Sequence, residues 1–206
     1  MGRKAMDPEI RRQQFIQAAE ELFRTKGYDN VTMSEIADKV GVAHGTYFYY
    51  YRSKEELMRA VVVHNVRDNE RDLKVMVEDR EKPALEKMQL LFAMTIDAYR
   101  SAGDTLDFPY GYGNATIFRE YLLMARETNI PLLTKIIEQG NREGSFDVRF
   151  PEDTMEYLFF VFENLYDVVR ATRGDKALFN RKMQALETLL CRALGTKKGA
   201  FRFAER

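Results

Sequence analysis

Side chains able to do covalent or metal chemistry are few in this sequence. It holds two histidines, His44 and His64, and one cysteine, Cys191. No Glu-x-x-His pair occurs, which disfavours a di-iron carboxylate bundle. There is no Gly-x-Ser-x-Gly elbow and no glycine-rich phosphate loop. "GYGN" at 111–114 is too short to mean more than a turn. A single cysteine allows no intrachain disulfide and disfavours a Cys-based metal site. No catalytic residue, metal or cofactor is therefore expected. Recognition chemistry is better represented. Tyr47, Phe48, Tyr49, Tyr50 and Tyr51 stand in a row, followed by Lys54. No helix or strand buries five consecutive residues on one face. Some of these rings must face outward.

The rest of the composition narrows their use. Lys+Arg and Asp+Glu both number 32, so the net charge is zero and any nucleic-acid role must rest on a local site. The 206 residues can bury a sizeable core. Hydrophobic residues at 45% and charged residues at 31% are ordinary for a soluble globular chain. "MGRKAMDPEI" contains no signal-like apolar stretch, and the longest apolar run, "YLFFVF" at 157–162, is too short to span a bilayer. The expectation is a soluble cytoplasmic protein with no membrane partner.

Helix punctuation is dense. Asp7-Pro8-Glu9 suits a helix start: a capping side chain, proline at the first position, then an acid at the positive end of the dipole. Phe15, Ala19, Leu22 and Phe23 then share a face, and Gly27 stops the helix. Thr32 and Glu35 form a capping box flanked by Val31 and Ile36, opening a short helix that ends at Gly41. A third short helix is expected over roughly 43–50. Ser53 and Glu56 form a second box, opening a long helix from Lys54 towards Arg80. Further helices are expected from Pro83 to about Ala102, and over about 115–128, 131–142, 152–173 and 175–194. No strand-like alternation of useful length occurs. The fold class expected is all-α.

A short helix, a tight turn at Gly41 and a second short helix form a helix-turn-helix pattern. The second helix must be slim and exposed enough to enter a major groove. Its first residues must reach base edges or phosphates. The stretch "VTMSEIADKVGVAHGTYFYYYRSKEELMRAVV" at 31–62 resembles the tetracycline-repressor (TetR) family of transcription regulators. Thr32, Ile36-Ala37, Gly41-Val42, Gly45, Tyr47 and Ser53-Lys54-Glu55-Glu56-Leu57 match the family pattern in fixed register. Three positions depart from it. Ala43 stands where a capping Ser is usual, Phe48 where Tyr is frequent, and Tyr51 where a core Phe is usual.

The resemblance implies that His44, Gly45, Thr46, Tyr49 and Tyr50 face DNA, with Phe48 among them lacking a phosphate-binding hydroxyl. Tyrosine hydroxyls donate to phosphate oxygens, and rings touch thymine methyls. Thr32 and Ser34 at one helix start, and Lys54 at another, are expected to meet phosphates. Ala43, Tyr47 and Tyr51 share one helical face and are expected to pack inward on Leu22, Ile36 and Val40. The basic residues Arg3, Lys4, Arg11 and Arg12 are candidates for a DNA-contacting arm or for plain solvated surface.

The resemblance also divides the chain: residues 1–54 as a three-helix DNA-binding domain, residues 55–206 as a helical effector-binding and dimerisation domain. In the last two helices Met155, Phe159, Phe162, Leu178, Met183, Leu186 and Leu190 lie on broad apolar stripes. A helix apolar on more than one face must contact more than its own core, so these are the expected homodimer interface. A methionine and aromatic stripe is most often simple core, but the resemblance implies an effector pocket among Met88, Phe92, Thr95, Tyr99, Phe108, Asn114, Phe118, Tyr121, Phe162, Glu163 and Tyr166, and methionine side chains suit adaptable apolar cavities. The expected function is a ligand-responsive regulator. It is released from a palindromic duplex-DNA operator by a small, largely apolar or aromatic effector. A helical enzyme and a helical adaptor are the rivals, and neither needs Gly45, Thr46 and Lys54 in this register.

Overall fold

The structure, a computed structural model, describes residues 7–101 and 115–204, with the side chains of Ser101, Ala115 and Phe118 excepted. Among them are eight α-helices and no strand. These are α1 (Pro8–Lys26), α2 (Met33–Val40), α3 (Tyr47–Tyr50, preceded by a 3-10 turn His44–Thr46), α4 (Lys54–Glu78), α5 (Ala84–Ser101), α6 (Ala115–Glu143), α7 (Pro151–Ala171) and α8 (Lys176–Ala193). The all-α expectation holds. The described chain divides into two compact units, residues 7–69 with 115–124, and residues 70–101 with 125–204.

In the first unit the helix starts are those the sequence encodes. Asp7 accepts from the Glu9 amide at 2.9 Å. Thr32 and Glu35 close their capping box: the Thr32 amide donates to Glu35 Oε2 at 2.8 Å and the Glu35 amide to Thr32 Oγ1 at 3.2 Å. The second box is half-formed. Ser53 accepts from the Glu56 amide, but the Glu56 carboxylate takes the amide of Arg52 instead, at 2.7 Å. Phe15, Phe23, Ile36, Leu57, Met58 and Ile117 are fully buried together, so the start of α6 packs into the same core as α1, α2 and α4.

In the second unit α5 and α7 meet through a stacked pair, Phe92 and Phe162, with centroids 3.9 Å apart. Lys87 is buried, and its ammonium donates to the Val77 carbonyl at 2.7 Å and to Gln139 Oε1 at 2.8 Å. The Glu143 carboxylate accepts from the Ala84 amide at 2.9 Å, so α6 also caps the start of α5. The chain after α8 turns back over α5. Gln89 pairs with both backbone groups of Arg202, Phe201 is fully buried, and Glu187 accepts from the amides of Phe203 and Ala204.

One helix differs from expectation. The sequence predicts a break between 128 and 131, yet α6 runs unbroken through Pro131. Proline removes one helical hydrogen bond, at a cost of ~3 kcal/mol. Leu133, Ile136 and Ile137 are buried within the following two turns. Each such side chain contributes about 1.5–3 kcal/mol when buried, so packing outweighs the missing bond.

Candidate nucleic-acid interface

Gly41 ends α2 in the left-handed region, with φ of 76°. Its amide and that of Val42 return to the Asp38 and Ala37 carbonyls at 3.0 and 3.1 Å, closing the turn. Without a Cβ, glycine adopts this geometry unstrained. Ala43 then offers no side-chain cap, and the chain enters the next element as a single 3-10 turn rather than an α-helix. Only Tyr47–Tyr50 are α-helical, and Tyr51 is already extended, with φ of −141°.

This short element explains how five consecutive aromatic residues are accommodated. Tyr51, beyond the helix end, is 4% exposed and sits edge-on to Phe15. Its hydroxyl donates to the Arg12 carbonyl at 3.4 Å, and burial pushes its pKa above the ordinary tyrosine value. Tyr50 is half-buried against Phe15, with centroids 5.5 Å apart. Tyr47 packs on the core from the other side and meets Phe48 at 4.2 Å. Phe48 and Tyr49 project outward, 60% and 75% exposed. Gly45 has open space where a Cβ would stand.

The expected inward face Ala43, Tyr47 and Tyr51 is therefore only partly present. Ala43 is exposed because it precedes the helix, so a helical wheel does not apply to it. Tyr51 is buried because the chain turns inward after one helical turn. Tyr50, expected to face outward, takes the half-buried place the wheel gave to neighbours.

Cations around this segment are mostly engaged. Arg12 Nη1 donates to the Tyr50 carbonyl at 2.9 Å, capping the C-terminus of α3 from α1. His44 Nε2 lies 2.8 Å from Asp38 Oδ1, bridging the two sides of the turn. Lys26 and Lys39 pair with Glu35 and Glu21, each at 2.8 Å. The Lys26 contact, then the bonds from Thr32, hold the Glu35 carboxyl down to about 2. Lys54 does not stand free at its helix start. Its ammonium donates to the carbonyls of Tyr28 and Val31, both at 2.9 Å, and sits 4.3 Å from the Tyr28 ring centroid. The side chain faces back into the α1–α2 connection. Thr32 is exposed but its hydroxyl is committed to the capping box; Ser34 and Thr46 are half-exposed.

Arg52 was missed by sequence reading. It is exposed, immediately follows the aromatic run, and its guanidinium carries no ion pair among the described residues. Its position between the recognition segment and α4 was the available signal.

The profile of bacterial regulatory proteins of the tetR family matches residues 15–61, which hold the geometry just described. These residues, 15–61, are similar to the TetR family. The chain is similar to the HTH-type transcriptional regulator BetI of Brucella abortus (strain 2308), 29% identical over 106 residues, covering 52% of each chain. The chain thus spans about half the length of the curated relatives it first matches. It is also similar to an HTH-type transcriptional regulator of Staphylococcus aureus (strain USA300), 24% identical over 173 residues, covering 84% of this chain and 78% of that one. Among solved structures, reduced NemR of E. coli superposes with a TM-score of 0.68 at 17% identity, covering 91% of this chain and 99% of that one. The fatty acid degradation regulator FadR of Bacillus halodurans superposes at 0.62 with 19% identity, covering 83% and 89%. At these identities the structures bear on the TetR-like fold.

The remaining predicted residues fall as follows. Phe108, Asn114 and the Phe118 side chain, like Arg3 and Lys4, lie outside the described residues. Tyr121 packs on the core of the first unit. Met88, Phe92, Phe162 and Tyr166 are buried in the second unit, and Thr95 and Tyr99 are half-buried there. Glu163 is held by Arg126 in a two-point ion pair at 3.1 and 3.0 Å. The expected dimer residues are placed as follows. Met155, Phe159, Phe162, Met183, Leu186 and Leu190 are all buried within the single chain, and Leu178 is half-buried. Within the single chain the stripes contribute to the subunit's core. The large apolar side chains left exposed on α7 and α8 are Tyr157, Phe160 and Leu189.

Proposed function

We propose that this chain is a TetR-type DNA-binding transcriptional regulator that reads duplex DNA with the segment His44–Tyr50. The observation that carries this reading is the pair Phe48 and Tyr49, large rings left in solvent on a segment whose backbone is pinned from behind by Arg12 and Tyr51. Tyr49 supplies a hydroxyl to phosphate and Phe48 an apolar face to a thymine methyl. Gly45 allows the backbone to approach. Arg52 adds a cation at the segment's end. Lys54 serves by holding the α1–α2 connection in place, and the amides at the starts of α2 and α4 face anions.

In this proposal residues 1–54 carry DNA recognition and residues 55–206 bind an effector and dimerise. A second copy packs against Tyr157, Phe160 and Leu189, giving two recognition segments for a palindromic site. Half-sites of such dimers lie about 34–36 Å apart, or a multiple of it. An effector that prefers a conformation with the wrong spacing weakens operator binding, and the operator weakens effector binding equally. Repression in the cytoplasm follows from that arrangement, and no described helix is long and apolar enough to cross a membrane. Fluorescence anisotropy with the protein's own upstream DNA tests the reading. Saturable, sequence-dependent binding lost in the Tyr49→Ala variant supports it. Binding indifferent to both sequence and Tyr49 refutes it.

A further inference from the structure

Lys87 is 1% exposed, yet its ammonium forms no ion pair among the described residues. Both of its hydrogen bonds go to neutral acceptors, the Val77 carbonyl and Gln139 Oε1. An ammonium has three N–H donors, so one is left over. Buried charges are ordinarily paired, because taking one out of water unpaired is costly. Capping the last turn of α4 explains the bond to Val77, but a carbonyl offers only a partial charge. The acids that act on Lys87 from farther off, Asp79 and Glu143, already hold other donors. Asp79 accepts from the Glu81 amide, and Glu143 from the Ala84 amide and the Gln139 side chain.

The buried ammonium borders a cleft of about 800 Å³ within the second unit. The end of α4 and the residues after it, through Arg80, form one side, and α6 forms the other. Lys135, Glu138, Gln139 and Arg142 recur at intervals of three and four, so they share one face of α6. Lys135 and Arg142 stand two turns apart, roughly 10 Å along the axis. Gln139, to which Lys87 donates, lies between them. Arg80, Lys135 and Arg142 are exposed, and none forms an ion pair among the described residues. Glu138 stands at spacings from Lys135 and Arg142 where helix ion pairs form, and neither pair closes. The four cations outnumber the acids of the cleft, Glu78, Asp79 and Glu138.

We propose that this cleft binds a small multivalent oxyanion, one with several carboxylate or phosphoryl oxygens. One charged oxygen takes the spare N–H of Lys87. The others lie along α6 towards Lys135 and Arg142, with Arg80 approaching from the α4 side. Cations at both ends and in the middle of such a span suit an anion with more than one charged group; chloride satisfies only one. Glu138 opposes binding, so ligands of low charge are excluded. None of the residues expected to line an effector pocket borders this cleft. It is a separate, charged site, and it stands whether or not the chain reads DNA.

Citrate and pyrophosphate are titrated calorimetrically into the full chain, against sodium chloride of equal ionic strength. Saturable one-to-one binding of at least one of them, absent with chloride, is expected. Citrate alone assigns a carboxylate ligand, pyrophosphate alone a phosphorylated one, and both together the shared chemistry. Lys87→Met should weaken that binding at least ~10-fold, the loss of one charged hydrogen bond. Should that variant not fold, the exposed pair Lys135→Gln with Arg142→Gln decides, with a several-fold loss expected. Glu138→Gln should tighten binding, and Lys182→Gln on α8, outside the cleft, should leave it unchanged. Saturable binding of neither anion, an affinity unmoved by the cleft variants, or an equal loss in Lys182→Gln overturns the proposal.

Discussion

The ammonium of Lys54 sits over the ring of Tyr28 and donates to that residue's own carbonyl, as well as to that of Val31. One side chain from the start of α4 thus ties down the connection between α1 and α2. Burial comes first among the causes that raise the Tyr28 pKa, with Glu55 next, in keeping with a ring held against its neighbours. Lys54→Met keeps the stem and removes the donors. It should destabilise the protein by about 1–3 kcal/mol in urea denaturation, the usual range for losing charged hydrogen bonds and leaving acceptors bare. Its DNA affinity should fall only as far as the folded fraction does. A large affinity loss at full stability would return Lys54 to the phosphate-contacting set.

Tyr49 and Arg52 should behave in the opposite way. Both are exposed, so alanine at either position should leave stability within ~0.5 kcal/mol. Tyr49→Ala should weaken binding several-fold. Arg52→Ala should lower the slope of log affinity against log salt by about 1, the signature of one lost phosphate contact. Anisotropy titrations across a salt series read both effects.

The Glu35 carboxylate, with its pKa held near 2 in the folded chain against an ordinary value of 4.5, links stability to acid. A depressed folded pKa contributes stability that is fully present above the ordinary value. That contribution falls away as pH drops from 4.5 towards 2. Glu35→Gln should flatten this part of the profile, and α2 amides should lose exchange protection first. Denaturation midpoints between pH 5 and 2 for the two proteins make the comparison. An unchanged slope in the variant would show that other carboxylates control the acid transition.

Gly140 lies on α6 where an added Cβ would run into the Phe146 ring. Gly140→Ala should therefore destabilise by about 1–3 kcal/mol despite alanine's better helix propensity, as overpacking does. Adding Phe146→Leu should recover part of the loss. If Gly140→Ala is neutral or stabilising, the 144–148 loop is less tightly seated than described.

Much of this molecule is legible in its sequence, for local reasons. Asp7, Thr32 and Gly41 act within a few residues of themselves, so the caps and turns they encode appear where expected. The helix-turn-helix is readable for the same reason. Tertiary packing was not readable. Pro131 signals a break that burial of its neighbours overrides. The stripes through Met155 and Met183 are equally consistent with a core and with an interface, and periodicity alone does not distinguish them. Lys54 looks like a surface cation until the backbone carbonyls that fold back beneath it are known.

The recognition segment contains a single α-helical turn, Tyr47–Tyr50, far shorter than the ~12–15 residues an isolated helix needs in water. Its shape is borrowed from Phe15, Arg12 and Tyr51 behind it. In the proposed reading, sequence preference for DNA is a property of the hydrophobic interior as much as of the surface. On that reading a change at Phe15, which is fully buried, would be recovered in a genetic screen as an altered-specificity allele. Transplanting residues 44–50 onto another scaffold would transfer the letters without the conformation that gives them meaning.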